Sequence, residues 1–282
     1  MNVIGLVNKF LRRVPKGHKI YFYFIKYIPV NKEKIIKELD GNFFLITSTG
    51  RTGTTLFANM LNSSGEAQVL HEPIVSEQYF HRLALENKNY SYNYVSEFRL
   101  KEIYLRKTEK IYGEVNSALR RNVKDIKSIL PNTTVVHIIR NGYNVVSSVL
   151  NRKTLTEDDW CYRNMVPDAS IISECEWSKF SRFEKICFMW SEENRWLSEN
   201  CDVSAKFETL LEDYEYFIKI IANVVDINVS KESWEYFLKK KINPNSSYYD
   251  KNKPENWTQE QHDSFSRLCG GEMARYGYPG FF

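Results

Sequence analysis

The segment FFLITSTGRTGTTLF, residues 43–57, constrains the fold of this chain more than any other part. It opens with an apolar, β-prone run, Phe43–Thr47, which stops at a loop of small and hydroxyl residues. A helix-compatible stretch follows the loop directly. In a strand–loop–helix unit of this kind, the loop N–H groups and the open helix N-terminus converge on one anion. The segment therefore predicts an α/β domain with a phosphate-binding loop.

The loop differs from the Walker loops of ATP- and GTP-hydrolysing proteins. A Walker loop has Lys directly after its last glycine, where this chain has Thr54. It also has a glycine five residues before Gly53, where this chain has Ser48. The cation of the loop, Arg51, stands two residues before Gly53 instead. The loop therefore indicates a phosphate-like group, and not ATP with magnesium.

Further strand-like runs follow along the chain, separated by helix-compatible stretches: Ala67–Leu70, Lys110–Tyr112, Thr134–Ile139 and Val203–Phe207. This alternation predicts an α/β, P-loop-like three-layer domain with a central parallel sheet flanked by helices. Ligands of such sheets bind beyond the carboxyl ends of the strands, so the residues directly after each strand are candidate site residues.

The length predicts one large domain over residues 1–282, with two small domains as the alternative. The hydrophobic content of 43% indicates a globular chain. The net charge of +4 is too small to indicate a nucleic-acid partner. The five cysteines include no Cys-x-x-Cys pair, so we expect free thiols in a reducing compartment and a cytoplasmic location.

Residues 1–40 are expected to form a helical N-terminal extension. Within it, residues 20–28 are apolar and aromatic, but the run is short and Lys26 interrupts it. It therefore fits neither a signal peptide nor a membrane span. Its aromatic and basic residues would suit a membrane surface, but a helix packed on the domain is the favoured interpretation.

Two later helices have clear start signals. Ser181 with Glu184, and Thr258 with Gln261, each form a capping box, and Gly277 is placed to end the second helix. Between Leu150 and the first of these helices the chain is polar and irregular. Residues 151–180 are therefore predicted to form an acceptor-side loop or lid, and residues 243–257 are a second candidate acceptor segment.

Two carboxylates follow predicted strands and are candidate general bases. Glu72 lies between His71 and Pro73, and the proline predicts extended chain at Glu72. A carboxylate beside an anion-binding loop suggests general-base catalysis, and His71 could do the same chemistry. Side chains that alternate at this edge would face opposite ways, so one of the two can reach an acceptor. Glu72 is favoured, and Glu114, after the third predicted strand, is its rival.

The fourth predicted strand ends in Arg140, and Ser147 and Ser148 lie on the helix that follows. In nucleotide-hydrolysing P-loop proteins, a strand of this kind often ends in an Asp that holds magnesium. A guanidinium at this place has an anion as its natural partner. Arg51 and Arg140 together therefore suit a ligand with two separate anionic groups.

These residues resemble the motifs of sulfotransferases that use 3′-phosphoadenosine 5′-phosphosulfate (PAPS). The family's 5′-phosphosulfate loop, basic–Ser/Thr–Gly–Thr–Thr/Ser, is matched by Arg51-Thr52-Gly53-Thr54-Thr55. Its 3′-phosphate element, Arg at a strand end with Ser eight residues later, is matched by Arg140 and Ser148. Phe207-Glu208-Thr209-Leu210 looks like the family's Tyr-Glu-Asp-Leu segment, and Arg275-Tyr276-Gly277-Tyr278 is similar to many family C-termini.

The resemblance implies that PAPS is the co-substrate, that no metal is required, and that each motif has a role. The loop Thr52-Gly53-Thr54-Thr55 would hold the 5′-phosphate, while Arg51 would stabilise charge on the leaving oxygen. Arg140 and Ser148 would bind the 3′-phosphate.

The sequence departs from the family's cytosolic small-molecule branch. That branch has Lys in place of Arg51, an adenine-stacking Trp in place of Leu56, and a catalytic His with no counterpart around residues 114–116. Carbohydrate- and protein-modifying branches often use a Glu base and tolerate Arg in the loop. The resemblance thus implies a soluble, prokaryote-like relative of the carbohydrate type, with a sugar or glycan acceptor, and it strengthens Glu72.

Two other functions stay open at this stage. One is a P-loop kinase for a small metabolite, which would need Mg²⁺ and residues that bind a triphosphate. The other is a catalytically inactive nucleotide-binding module of the same fold that binds a glycan or a partner protein.

Overall fold

The computed structural model describes residues 3–11, 17–74, 76–240 and 252–280. Within these ranges the strands are β1 Phe43–Thr47, β2 Gln68–His71, β3 Tyr112–Val115, β4 Thr134–Ile139 and β5 Val203–Lys206. All neighbouring strands are parallel, and their order in the sheet is β2–β3–β1–β4–β5. The predicted α/β fold with a central parallel sheet is confirmed.

The helices of the described residues begin and end as follows: α1 Val3–Leu11, α2 Gly17–Tyr27, α3 Lys32–Leu39, α4 Thr54–Asn62, α5 Glu77–Glu86, α6 Lys88–Tyr94, α7 Leu100–Arg106, α8 Val123–Ile129, α9 Gly142–Leu150, α10 Glu174–Lys179, α11 Arg182–Asn200, α12 Phe207–Glu212, α13 Tyr214–Phe217, α14 Lys231–Lys239 and α15 Gln259–Arg275. Short 3₁₀ helices cover Ser117–Asn122 and Pro254–Asn256, and π-helical turns cover Val95–Arg99 and Ile218–Ala222.

The capping boxes and the terminal glycine that the sequence predicted lie at helix ends in the structure. Both predicted capping boxes are present, at the starts of α11 and α15. Gly277 has a φ of 63°, a left-handed conformation that glycine adopts without strain, and it lies two residues beyond the end of α15. Of the second predicted acceptor segment, residues 243–251 lie outside the described residues.

The sheet is covered on both faces because successive side chains of a strand point to opposite sides. Phe43 and Leu45 of β1 pack in a core with residues of α2, α3, α7 and α8. Phe44 and Ile46 pack on the other face with residues of α4, α12, α13 and α14. A third core joins α9, α11 and α15 beyond the carboxyl end of β4. Together these cores produce the three layers that the sequence pattern predicted.

The third strand lies further along the chain than the sequence pattern indicated, because β3 begins at Tyr112 and ends at Val115. The pattern placed the strand at Lys110–Tyr112 and left Glu114 after it, whereas Gly113 and Glu114 both lie inside β3. A Cβ atom at Gly113 would lie 1.9 Å from Cζ of the Phe44 ring. Glycine is needed here for the close approach of that ring, and it does not mark the end of the strand.

A buried ionic cluster, here called the Arg99 cluster, joins β3 to the helices on one face of the sheet. Arg99 is fully buried; its Nε lies 2.6 Å from Oε1 of Glu77 and its Nη1 lies 2.6 Å from Oε2 of Glu102. Its Nη2 bonds Oε2 of Glu114. Arg106 adds a second cation on Glu102. Three carboxyl groups thus share two guanidinium groups, and burial raises the pKa of Glu77.

The N-terminal helix α2 packs on the domain through one face. Tyr21 and Ile25 are fully buried, and the Phe22 ring packs on the rings of Phe80 and Phe98. This arrangement agrees with the interpretation that the sequence favoured for residues 20–28. In the described ranges, no helix combines the length and the apolar character needed to cross a membrane.

Candidate active site

The predicted phosphate-binding loop, Ser48–Gly53, connects β1 to α4 at the carboxyl end of the sheet. Its backbone turns through left-handed conformations, with φ of 86° at Gly50 and 62° at Arg51. The Ser48 hydroxyl oxygen accepts bonds from the Gly50 N–H, at 3.1 Å, and from the Thr52 hydroxyl, at 2.7 Å. The buried Ser48 therefore holds the loop in shape from inside, a role that the sequence did not predict.

Gly53 is the N-cap of α4 and leaves the helix N-terminus open, since it has no side chain. Its φ is 65°, and a Cβ atom there would lie 2.7 Å from Cε2 of the Phe207 ring. Both the backbone conformation and the ring beside it therefore require glycine at this position.

We expect Gly53→Ala to destabilise the protein by more than about 1 kcal/mol, because alanine is strained at this φ and the Phe207 ring has to move. The free energy of unfolding in urea would measure the loss. Gly270→Ala is the control: Gly270 lies within α15, and a Cβ there meets nothing within 4 Å. That change is expected to stabilise the protein by roughly 0.5–1 kcal/mol. Equal effects at the two glycines would contradict the prediction.

The first two side chains of α4 contact His71, the last residue of β2. Thr54 Oγ1 lies 2.8 Å from His71 Nε2, and Thr55 Oγ1 lies 3.4 Å from the same atom. Burial lowers the pKa of His71 below its ordinary value, so the ring is neutral at neutral pH. His71 therefore supports the hydroxyl groups that the sequence assigned to the 5′-phosphate.

Glu72, the favoured base, contacts a different part of the structure from His71. Its carboxylate accepts a hydrogen bond from the Ser117 hydroxyl. The extended backbone expected before Pro73 is wrong for Glu72, whose φ is 37°. A left-handed conformation is costly for a residue with a side chain, and such residues cluster at functional sites. The turn directs Glu72 toward Ser117 in the 3₁₀ helix after β3.

Glu114, the rival base, belongs to the Arg99 cluster and is fully buried. Besides its bond to Arg99, it accepts bonds from the Tyr112 hydroxyl, at 2.8 Å, and from the Asn116 side chain, at 2.9 Å. The expectation that Glu114 lies at the open edge of the sheet is therefore wrong, since it lies inside β3. All the hydrogen bonds described for its carboxylate are to buried side chains of the same domain.

The two predicted phosphate elements meet directly. Arg51 Nε donates to Oγ of Ser148 over 2.8 Å, and Arg140 Nη1 donates to the carbonyl oxygen of Arg51 over 2.7 Å. The sequence placed Arg51 at one phosphate and Ser148 at the other. The structure brings both cations and the serine to one place, because β1 and β4 are neighbours in the sheet.

The two weaker motifs also lie at this place. The Arg140 guanidinium stacks on the Phe207 ring, 4.9 Å from its centroid. Glu208 Oε1 accepts from the N–H of Asn141 over 3.1 Å, and Glu208 Oε2 accepts from the Tyr278 hydroxyl over 2.8 Å. The segments around residues 208 and 278 thus fix the turn that follows β4.

A cavity of about 220 Å³ opens beside Arg51 and Ser117. The helices α9 and α11 form an apolar wall, and polar side chains from α5, the 3₁₀ helix after β3, and residues 151–173 line the rest. The residues that line the cavity include Thr49, Arg51, Ser117, Thr154, Tyr162 and Trp190. Residues 151–180 therefore contribute Thr154 and Tyr162 to the wall of this cavity.

A second buried ionic group contributes Arg120 and Glu193 to the lining of the cavity. Glu193 accepts from Arg120 Nε, at 2.9 Å, and from Arg121 Nε, at 2.8 Å. Burial alone would raise the pKa of Glu193, but the two guanidinium groups hold it well below its ordinary value. Sequence reasoning missed this group, because its three members come from a 3₁₀ helix and from α11, far apart in the chain.

Comparison with known proteins identifies the fold. No family model and no curated protein matches the sequence. Among solved structures, the sulfotransferase STF9 from Mycobacterium avium is 9% identical, with 88% of this chain and 80% of that chain covered and a TM-score of 0.53. Mouse sulfotransferase SULT7A1 complexed with PAP is 13% identical, with 86% and 90% covered and a TM-score of 0.48. A sulfotransferase from Alicyclobacillus acidocaldarius is 12% identical, with 84% and 96% covered and a TM-score of 0.46. The predicted sulfotransferase fold is confirmed by the first of these.

Proposed function

We propose that this protein transfers a sulfuryl group from PAPS to a hydroxyl group of an acceptor. The observation that carries the proposal is the junction of Arg51, Arg140 and Ser148 beside the open N-terminus of α4. Two guanidinium groups and a helix N-terminus suit a donor with a 5′-phosphosulfate and a 3′-phosphate. The sulfotransferase fold supports the same activity.

Different residues of the donor site would bind different parts of PAPS. The N–H groups of the loop and the hydroxyls of Thr54 and Thr55 would hold the 5′-phosphate. Arg51 would stabilise the negative charge that grows on the bridging oxygen as the sulfur–oxygen bond to the 5′-phosphate breaks. Arg140 and Ser148 would bind the 3′-phosphate, which ordinary adenine nucleotides lack.

Glu72 would act as the general base. As the acceptor oxygen forms its bond to sulfur, the acceptor hydroxyl loses its proton to the Glu72 carboxylate. Ser117 lines the cavity and donates to Glu72, so it would orient the carboxylate toward the acceptor. The leaving group departs as 3′-phosphoadenosine 5′-phosphate (PAP), and the proposal includes no metal in this step.

The acceptor in this proposal is a sugar or glycan. Sugar rings combine an apolar face with hydroxyl edges, and the cavity combines an apolar wall with polar side chains. Two polar atoms in its lining residues, Thr49 Oγ1 and Trp190 Nε1, are buried and have no hydrogen-bond partner within the described part of the chain. Because buried polar atoms normally have partners, we expect acceptor or donor oxygens to bond them.

A reducing, cytoplasmic location is part of the proposal. All five cysteines are free in the structure, and three of them are buried. Free thiols persist in reducing compartments, whereas secreted proteins commonly pair them.

Titration calorimetry tests the donor site. We expect PAP to bind without magnesium and more tightly than ATP. Arg140→Leu is expected to weaken PAP binding roughly 10- to 100-fold, because a charge-assisted bond contributes about 1.5–3 kcal/mol. The effect on ADP, which lacks the 3′-phosphate, should be smaller, because ADP loses only the support that Arg140 gives to the loop through the Arg51 carbonyl. Arg152→Leu, an exposed arginine beyond α9, is the control.

The outcome separates the proposal from its alternatives. Preference for Mg-ATP over PAP would favour a P-loop kinase. Binding of PAP without transfer of labelled sulfate to any acceptor in a sugar panel would favour an inactive nucleotide-binding module.

A further inference from the structure

The exposed large apolar side chains of this protein are concentrated in its two N-terminal helices. Eleven such side chains occur in the described residues, and six of them lie in α1 and α2. These six are Leu6, Phe10, Ile20, Tyr23, Phe24 and Tyr27, here called the N-terminal apolar face. Exposed apolar residues are normal when they are scattered, but a concentration of them indicates a contact surface.

The same part of the chain has an unusual charge. Residues 1–32 include seven Lys and Arg and no Asp or Glu. The remaining residues include 32 Lys and Arg against 35 Asp and Glu, so they carry a small negative charge. The net positive charge of the whole protein therefore resides in its first 32 residues. A basic segment of this kind is attracted to an anionic surface.

The orientation of α2 is fixed by the domain behind it. The Tyr21 hydroxyl donates to Glu102 Oε1 over 2.8 Å and accepts from Arg106 Nη2 over 3.0 Å. Lys101 Nζ donates to the carbonyl oxygen of Lys26 over 2.8 Å, at the C-terminal end of the helix. These bonds hold α2 against the Arg99 cluster and against Lys101 of α7, so the same face of α2 always points away from the domain.

That outer face has the composition of an interfacial helix. Tyr23 and Tyr27 lie one turn apart, are 56% and 74% exposed, and stack on each other. Phe24 and the exposed Lys26 flank them on either side. Aromatic rings suit the boundary between headgroups and acyl chains, and lysine suits the headgroups. Helix α2 has 11 residues, so it can lie in this boundary but is too short to span a bilayer.

We propose that the N-terminal apolar face docks on the surface of a bilayer rich in anionic phospholipids. The charge of residues 1–32 selects this partner over a second copy of the chain, because two such segments would repel each other. The activity proposed above does not enter this inference. Docking would hold the domain at a membrane.

Vesicle co-sedimentation tests the proposal with the full chain. We expect binding to vesicles of phosphatidylcholine with about one-third phosphatidylglycerol to exceed binding to pure phosphatidylcholine by about tenfold or more at low salt. The binding should decrease as salt is added, because counterions screen the lysines and arginines. Equal binding to both vesicle types, or none to either, would overturn the proposal.

A double variant tests whether the exposed aromatic rings of α2 contribute to membrane binding. Tyr23→Ser with Tyr27→Ser is expected to reduce partitioning of the protein onto the anionic vesicles by about tenfold, since both rings are removed from the membrane–water interface. Tyr92→Ser with Tyr236→Ser is the matched control, because these tyrosines are 51% and 57% exposed elsewhere on the protein. Thermal unfolding of both variants checks that they fold.

Equal losses of vesicle binding in the two variants would overturn the proposal. So would a concentration-dependent dimer that disappears in Tyr23→Ser with Tyr27→Ser, because a second copy would then cover the face.

Discussion

Glu72→Gln is expected to lower the rate of sulfuryl transfer from PAPS roughly 10²- to 10⁴-fold, the usual contribution of a general base. Glutamine keeps the size of the side chain and can still bond Ser117, but it cannot accept the proton of the acceptor hydroxyl. The affinity for PAP should stay unchanged, because Glu72 touches no donor residue in this proposal. Transfer of labelled sulfate to a sugar acceptor measures the rate, and calorimetry measures PAP binding.

Two further variants make this prediction specific. Glu109→Gln changes an exposed glutamate and is expected to leave transfer intact. Glu114→Gln is expected to lower stability, yet to retain transfer per folded molecule, because Glu114 lies in the Arg99 cluster. Transfer that is lost in Glu114→Gln and kept in Glu72→Gln would move the base to Glu114.

Arg99→Met is expected to destabilise the protein by about 3–5 kcal/mol, the cost of removing one partner from a buried ionic group. Methionine fills much of the space but leaves Glu77 and Glu114 buried without their shared cation. A loss of this size is a large fraction of the stability of a typical domain. Urea unfolding at neutral pH measures it.

Arg195→Met is the matched control, because Arg195 also pairs with two glutamates, Glu192 and Glu199, but on the surface. Its side chain is 45% exposed. Exposed ion pairs contribute about 0–1 kcal/mol, so this variant should unfold close to the native protein. A loss of less than about 1 kcal/mol in Arg99→Met would show that the Arg99 cluster contributes little.

Much of the architecture was predictable because its signals are local. Strand β1 and strand β4 have the bounds that their apolar runs predicted, and α11 and α15 begin at their capping boxes. Each of these features depends on a few consecutive residues. Gly113 shows the limit of such signals: it reads as a strand end, but a ring from the neighbouring strand is the reason for its presence.

The candidate site was predictable only in part. The sequence favoured Glu72 over Glu114, and the family resemblance strengthened that choice, but no local pattern showed that Glu114 is fully buried. The structure separates them, because Arg99 comes from a π-helical turn whose position no local pattern reveals. Ser117 was missed because its contact with Glu72 also depends on the tertiary structure, although it follows the third predicted strand by only a few residues.

The sequence by itself determined the strand–loop–helix unit, its distinction from a Walker loop, and the residues that could hold two anionic groups. These properties depend on the conformations and hydrogen-bonding groups of adjacent residues. The tertiary structure alone decided which of those residues meet. Because β1 lies between β3 and β4, the phosphate-binding loop is flanked by Ser117 on one side and by Arg140 and Ser148 on the other. Arg51 and Ser148 are 97 residues apart, and only the order of the strands brings them within a hydrogen bond.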